Sequence, residues 1–451
     1  MAYYIWKSYK LKFKPWEAFS ALSGRKNCFF LDSSLNSVTG RYSFLGFDPC
    51  AILKTQDEQP FEKLRKILRD YRINASSGAP PFFGGAVGYF GYDLGFLLEK
   101  KLVMKTYSKE KIPDSWFGFY NTVAGIDNLK KELFFICVGF PEKKSSLARA
   151  LCRDNFRKLE NIFSEINPQQ NKKEKSRDSC ALKSNFTKAA YIAAVKKAKE
   201  YISRGDVYQV NLSQHFQARS ILSAQQIYRK LRELSPAGFS AYLDTGDFQI
   251  LSSSPERFLQ VCAGKVATRP MKGTRPRGSN TQKDIFYKRQ LLNSIKDKAE
   301  LTMIVDLERN DLGKVCSYDS IKVTQLRNLE KYSTVYQTTA QITGRLHHKK
   351  DNLDLLRACF PGGSVTGCPK IRAMEIIEEL EPARRAVYTG SLGYLSFSGN
   401  MDFNILIRTI LKKKNRLYFG VGGGIVADSV PEHEYEETLV KAKAMIKAIS
   451  G

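Results

Sequence analysis

The sequence predicts a mixed α/β protein whose chemistry sits in its C-terminal part. The first part of the chain, to about residue 160, carries short aromatic or β-branched runs bounded by turn residues, the pattern of strands. From Thr187 onward, strands alternate with helices that show one apolar face. The 451 residues are 43% hydrophobic and 12% aromatic, enough to bury a large core as one big or two interlocked globular units.

In chain order, Asn27 to Asp32, Tyr42 to Leu53 and Glu132 to Gly139 read as strands. Residues 1–163 form a strand-rich N-terminal region. A charged linker follows over 164–186, where Asn167-Pro168-Gln169-Gln170-Asn171 leads into a run from Lys172 to Asp178. Residues 187–451 form the catalytic region. Its first helix starts at Thr187, puts Tyr191, Val195, Ala198 and Ile202 on one face and stops at Gly205. Strands are expected at Val207 to Ser213, Ile250 to Ser254 and Glu256 to Val261, and helices from Gln282 to Asp306 and from Pro369 to Glu379. A last helix starts near Glu434, with Tyr435, Leu439, Ala442 and Ile446 on its buried face.

Nine scattered cysteines, with no Cys-x-x-Cys pair, point to free thiols in a reducing compartment. The N-terminus lacks the apolar stretch of a secretion signal, and no window approaches eighteen apolar residues, so a cytoplasmic protein without a membrane span is expected. The net charge of +27 would attract nucleic acid or an acidic membrane surface. Its lysines are spread along the chain without a nucleic-acid motif, which favours solvated surface and an anionic substrate over a binding module.

Two glycine-rich stretches resemble nucleotide loops and fail the test. Gly84 to Gly91 has no acidic residue in the right place after a following helix, and Gly362 to Lys370 has Cys368 and Pro369 where a phosphate loop needs Lys and Ser or Thr. Pro369 instead suits a helix start, with amides around Thr366 and Gly367 pointing outward to take a carboxylate. Gly422-Gly423-Gly424 reads either as close backbone approach to a ligand or as a strand bend.

Only four histidines occur, His215, His347, His348 and His433, so carboxylates and a lysine must carry catalysis. Asp297 and Glu300 lie three apart on one helix, and Glu434 and Glu437 repeat the spacing on another. Such oxygen ligands suit Mg2+, which keeps waters for its remaining positions. Each pair taken alone reads equally as surface charge or as acids opposing a helix dipole. Between Arg269 and Gly278, four cations crowd ten positions, and their repulsion with partial burial would lower the pKa of Lys272 and free its amine as a nucleophile. The competing reading is an anion-binding loop built on Arg269, Arg275 and Arg277.

Together, Ser254-Pro255-Glu256-Arg257-Phe258, the loop around Lys272, Val305 to Gly313, Pro361 to Lys370 and Gly422 to Ser429 resemble the chorismate-utilising family. This family includes the first components of anthranilate synthase and aminodeoxychorismate synthase, and isochorismate and salicylate synthases. Phe30 to Ser33 and Arg41 to Gly46 extend the resemblance more loosely into the N-terminal region. It implies an α/β fold in which two large β-sheets form a sandwich, helices cover the outside and a cleft in the C-terminal half holds the site.

The resemblance also implies residue roles. Glu300 and Glu437 are the expected Mg2+ ligands, with Asp297 and Glu434 in support. Tyr388, Arg408, Gly423 and Lys441 would hold the enolpyruvyl carboxylate of chorismate, Thr274, Thr366 and Gly367 would line the substrate, and Glu256 would assist departure of the ring hydroxyl. Gln209 stands where the water-using members carry lysine, and Lys272 where anthranilate synthases carry alanine. That combination implies ammonia as nucleophile and Lys272 as the covalent catalyst of 4-amino-4-deoxychorismate formation, a step toward p-aminobenzoate and folate, with anthranilate synthesis as the alternative. Gln337 stands where many relatives carry histidine. With no glutaminase signature in the chain, ammonia is expected from a separate glutamine amidotransferase subunit. Some relatives bind tryptophan, as regulator or fixed ligand, which here would involve Asp32, Ser33, Ser43 and Pro236.

Overall fold

The computed structural model describes residues 3–22, 24–35, 39–56, 59–75, 78–106, 111–166, 181–332 and 335–450. Most of the charged linker, 167–180, lies outside them. The strand pattern resolves into two antiparallel sheets, of twelve and ten strands among the described residues; beside the two runs that follow, Lys183–Ser184 pairs with Gln209–Arg219 in the larger and Lys322–Lys331 with Val335–Arg345 in the smaller. The larger runs Tyr4–Lys10, Glu132–Val138, Thr122–Asp127, Tyr42–Gly46, Phe29–Asp32, Phe239–Asp244, Gln249–Ser254, Thr409–Lys413, Arg416–Ile425, Gln209–Arg219 and Gly367–Cys368. The smaller runs Met271–Pro276, Val335–Arg345, Lys265–Arg269, Arg257–Cys262, Met401–Asn404, Ser391–Ser396, Gly85–Phe90, Ser115–Tyr120 and Ala51–Thr55. Each sheet takes strands from both ends of the chain, so the two regions interlock.

Strand periodicity explains the layering. In the larger sheet Phe29, Phe44, Val123, Phe134, Ile136 and Ile250 enter the core shared with the smaller sheet. Their neighbours Phe30, Leu45, Ala124, Phe135, Cys137 and Leu251 enter a second core under helices. Successive side chains point to opposite faces, and here both faces are apolar, so this sheet is buried on both sides. Helices Ser145–Ser164, Ala224–Leu234 and Pro431–Ser450 cover the outer face with Phe156, Tyr228, Leu231, Met445 and Ile449. Helices Lys188–Ser203 and Lys370–Leu380 pack Val195, Ala198, Ile376 and Ile377 on Val210, Leu212 and Ile425. The expected sandwich with outer helices is therefore present. No helix among the described residues is long and apolar enough to cross a membrane, and the eight described cysteines are free thiols.

Several boundaries differ from the sequence reading. The run from Tyr42 to Leu53 is two strands in different sheets, because the chain turns at Asp48 (φ 50°) before Pro49. The stretch from Gln282 to Asp306 is two helices, Thr281–Asn293 and Ile295–Gly313. Ser294 breaks them with an extended backbone (φ −67°, ψ 112°), and its hydroxyl caps the second by accepting the Asp297 amide at 3.1 Å. Gly84 to Gly91 is no loop: Gly85–Phe90 is a buried strand, and a Cβ on Gly88 would lie 2.0 Å from the Trp116 carbonyl oxygen.

Phe29 shows how the sheets are held. Fully buried, it meets the Tyr120 ring of the opposite sheet at 4.6 Å and covers Gly46, where a Cβ would come within 2.3 Å of its ring. Phe29→Ala is expected to lower unfolding free energy by about 3–5 kcal/mol, measured by urea denaturation; a loss under about 1 kcal/mol would contradict this account of the inter-sheet core.

Candidate active site

The site assembles where the strand Arg416–Ile425 faces the final helix. Gly423 presents bare backbone to that helix: a Cβ there would lie 3.3 Å from Glu434 Oε2, 3.7 Å from Lys441 Nζ and 3.8 Å from Glu437 Oε1. Lys441 Nζ pairs with Glu437 Oε1 at 2.7 Å and donates to the Gly422 carbonyl at 2.9 Å. Ser429 Oγ donates to Glu434 Oε1 at 2.6 Å. The triple glycine lies within a regular strand instead of a bend, its bare backbone facing side chains of the final helix.

Lys272, on Met271–Pro276, lies within the field of the same groups. Burial lowers its pKa, the carboxylates of Glu300 and Glu256 oppose that shift, and Lys441 adds to it. Burial raises Glu256 to about 7, against a hydrogen bond from Ser364 and the Lys272 charge. Burial also raises Glu300, opposed by Lys272 and by Lys296, whose ammonium is 3.9 Å away. Glu434 is raised by burial and by Glu437, whereas Lys441 lowers Glu437. A protonatable acid and an amine easier to deprotonate than an ordinary lysine thus share one site.

The sequence reading assigned the repulsion on Lys272 to neighbouring arginines, and the structure corrects it. Arg269 is paired with Glu330, Arg275 with Asp297 at 2.9 Å, and Arg277 with Asp284 at 2.7 and 2.8 Å. Each arginine is neutralised by its own carboxylate, so Lys441 is the repelling cation. Asp297 is held by Arg275, and a Cβ on Gly273 would press within 2.9 Å of its carboxyl carbon; it braces the Lys272 strand.

The loop before Lys370–Leu380 also departs from expectation. The Thr366 amide donates to the Gly363 carbonyl at 3.3 Å, and its hydroxyl donates to the Gly362 carbonyl at 3.0 Å. Thr366 is therefore turned inward, because Gly367 (φ 149°) pairs as a strand with Val210, where a Cβ would lie 2.2 Å from the Gln209 carbonyl oxygen. Pro369 caps the helix instead of opening an amide cradle.

Tyr388 is buried against Gly420, three residues along the strand from Gly423, with its ring edge-on to His215 at 5.6 Å. Among the described residues the Arg408 guanidinium forms no hydrogen bond or ion pair, and burial lowers its pKa. A buried cation lacking a carboxylate partner suits an anionic ligand. The Thr274 hydroxyl accepts from Gln337 Nε2 at 3.3 Å. Gln209 is fully buried against Gly424, with neither amide atom hydrogen-bonded among the described residues.

A cleft of about 1430 Å³ opens beside Glu300, between Ile295–Gly313 and Lys370–Leu380. A separate cavity of about 560 Å³ has Asp32, Ser33, Arg41 and Phe239 on its wall. Asp32 is bound there by Arg232 at 2.7 Å, and Ser43 accepts the Ser33 amide at 3.1 Å from behind; Ser43 and Pro236 do not line the cavity.

Among the described residues no three His, Cys, Asp or Glu side chains enclose a metal unaided. Glu434 raises the pKa of Glu300 and Glu437 raises that of Glu434, so these acids feel one another's charge, and oxygen donors of this kind are the type a hard cation takes alongside waters. Ser364 and Ser429, which hydrogen-bond Glu256 and Glu434, were missed by the sequence reading, although both lie within the glycine-rich motifs.

Fold and site together define an enzyme that draws an anionic substrate between buried acids and cations. Residues 26–447 match the model of the chorismate binding enzymes, and the chain belongs to that family. It is 39% identical over 438 residues to anthranilate synthase component 1 of Aquifex aeolicus, covering 91% of this chain and 86% of the relative. It is 42% identical over 375 residues to aminodeoxychorismate synthase component 1 of Salmonella typhimurium, covering 82% and 78%. The solved anthranilate synthase component I of Streptococcus pneumoniae superposes with a TM-score of 0.80 at 33% identity, over 91% of this chain and 93% of that one. The protein is thus a chorismate-utilising enzyme of the aminodeoxychorismate or anthranilate synthase component I type.

Glu256 yields a prediction independent of turnover. Its folded pKa of about 7 exceeds the ordinary 4.5, so the folded state binds the extra proton and stability falls as pH rises between those values. Glu256→Gln removes that dependence. Relative to wild type, the variant should gain up to about 3 kcal/mol on going from pH 4.5 to pH 8, read from denaturation curves; a gap that does not change with pH would contradict the buried, neutral acid.

Proposed function

We propose that the protein converts chorismate and ammonia to 4-amino-4-deoxychorismate, with Lys272 as covalent nucleophile. The observation that carries this reading is a half-buried Lys272 whose pKa is lowered, in the same electrostatic cluster as the buried Glu256, whose pKa is raised to about 7. Lys272 Nζ, unprotonated, bonds to ring C2; both ring double bonds shift, C1=C2 to C1=C6 and C5=C6 to C4=C5, the C4–O bond breaks, and Glu256 gives the departing hydroxyl a proton so that water leaves. Ammonia then bonds to C4, both double bonds shift back, and the C2–N bond breaks to release the lysine. The surplus proton from nitrogen returns to Glu256, so each turnover consumes ammonia, releases water and keeps the enolpyruvyl group.

Arg408 and Tyr388 are assigned to the enolpyruvyl carboxylate, with Lys441 and the Gly423 backbone beside them, and Thr274 toward the ring; the inward-turned Thr366 and the strand-paired Gly367 support the site from behind. Mg2+, when bound by Glu300 and Glu437 with Glu434 in support, supplies charge neutralisation for a substrate carboxylate. Ammonia is assigned to a glutamine amidotransferase subunit, in keeping with relatives named as first components. The cavity at Asp32 and Ser33 is the candidate tryptophan site.

With chorismate and Mg2+ but without ammonia, intact-protein mass spectrometry should find an adduct of chorismate minus one water on the peptide containing Lys272. Ammonium should discharge it as 4-amino-4-deoxychorismate without pyruvate, and Lys272→Ala should lose both adduct and amination. Anthranilate plus pyruvate from the wild type, or undiminished 4-amination in the alanine variant, would sink the proposal in favour of anthranilate synthesis. Activity should also disappear with excess chelator and return with Mg2+, and Glu300→Gln or Glu437→Gln should raise the Mg2+ concentration required; full activity of both variants in chelator would refute the metal assignment.

A further inference from the structure

A second, half-buried acid has no role in the proposed chemistry. Glu308, on Ile295–Gly313, has Oε2 2.8 Å from Thr268 Oγ1, and the same hydroxyl lies 2.6 Å from the Phe258 carbonyl oxygen. A hydroxyl has one proton to give and lone pairs to accept with. Thr268 has one proton for two acceptors, so it can donate to Glu308 when the carboxyl is ionised and to the Phe258 carbonyl when the carboxyl is protonated, and the Glu308 hydrogen bond changes with its proton.

The surroundings give that proton a route in both directions. Phe258, Thr268, Glu308, Asp311, Cys359 and Gly363 surround a cavity of about 10 Å³, about the size of one water molecule. On the inner side, Gly363 adjoins Ser364, which hydrogen-bonds Glu256. On the outer side, Asp311 also lines the 1430 Å³ cleft, where it is held by Lys370 and by Lys314 at 2.8 Å.

We propose that Glu308 acts through Glu256 as its proton relay, passing protons between that buried acid and the cleft by way of Thr268, the water-sized cavity and Asp311. The inference rests on Glu256 being the acid for the ring hydroxyl. In each turnover Glu256 gives one proton to the leaving oxygen and must regain the one shed by nitrogen; a linked second acid holds that proton in between, so no net proton is gained or lost. The charged and titratable groups facing Glu308 are Glu256, Asp311, Lys370 and Cys359. Burial, with Glu256 and Asp311 adding to it and Thr268 and Lys370 opposing it, pushes Glu308 up to about 8, so it remains protonated at neutral pH.

Glu308→Gln keeps the size and the hydrogen bond to Thr268 and removes the exchangeable acid. Measured as ammonium-dependent chorismate consumption, kcat should fall at least about tenfold with KM for chorismate within twofold. The solvent deuterium isotope effect on kcat should rise, the alkaline limb of the pH profile should shift, and Glu308→Asp should recover part of the rate. Wild-type kcat and pH profile in the glutamine variant would overturn the relay. So would parallel losses of thermal midpoint and chorismate affinity in both variants, without an altered isotope effect, since these mark a structural role. Wild-type protein that fails to consume chorismate with ammonium and Mg2+ would overturn the functional reading itself, a result distinct from failure of the relay.

Discussion

Charge taken out of water and balanced locally is the constraint on which the site depends. Burial shifts Lys272, Glu256, Glu300 and Glu434, and the more exposed Lys441 and Glu437 supply the charges that oppose or add to those shifts. An isolated buried ion would be prohibitively costly, so the cluster persists through near-compensation among its members. The same environment lowers the pKa of Lys272 and raises that of Glu256, the directions that amine attack and hydroxyl departure need. Gly423 permits the assembly, because any side chain there would occupy the space where Glu434, Glu437 and Lys441 meet.

A second buried charge pair fixes the frame around that cluster. Glu381 and Arg385 are almost wholly shielded; Glu381 accepts the Ser213 amide at 2.8 Å and its hydroxyl at 2.9 Å. Arg385 donates to the Asn211 carbonyl at 2.7 Å and the Val365 carbonyl at 2.8 Å. One ion pair thereby ties the strand Gln209–Arg219 to the loop ahead of Pro369 and to the turn that carries Tyr388. Its value lies in holding three backbone segments in one register, since a buried pair contributes little net stability on its own.

The layers and most elements were legible in the sequence because their cause is periodic. Alternation within strands and the Thr187 to Gly205 helix pattern survive folding unchanged, and Glu434, Glu437 and Lys441 lie beside the bare backbone of Gly423. What failed was information created only by tertiary contact. Ser294 could not be read as a break, because the residues around it remain good helix formers. The arginines near Lys272 looked like a repulsive cluster until Glu330, Asp297 and Asp284 arrived from distant segments. Thr366 looked outward until Gly367 was seen paired with Val210. Glu308 went unnoticed because an acid in a charged helical motif normally faces solvent.

The central claim is that burial, opposed by carboxylates and reinforced by Lys441, makes the Lys272 amine available below the ordinary lysine pKa of 10.5. Competitive acylation with a trace amine reagent across a pH series, followed by mass spectrometry of the Lys272 peptide, measures that pKa without substrate or metal. The account predicts a Lys272 midpoint clearly below those of exposed lysines in the same digest, moving upward in Lys441→Met as the repelling charge is removed. A midpoint at or above the exposed lysines, unchanged in that variant, would contradict it.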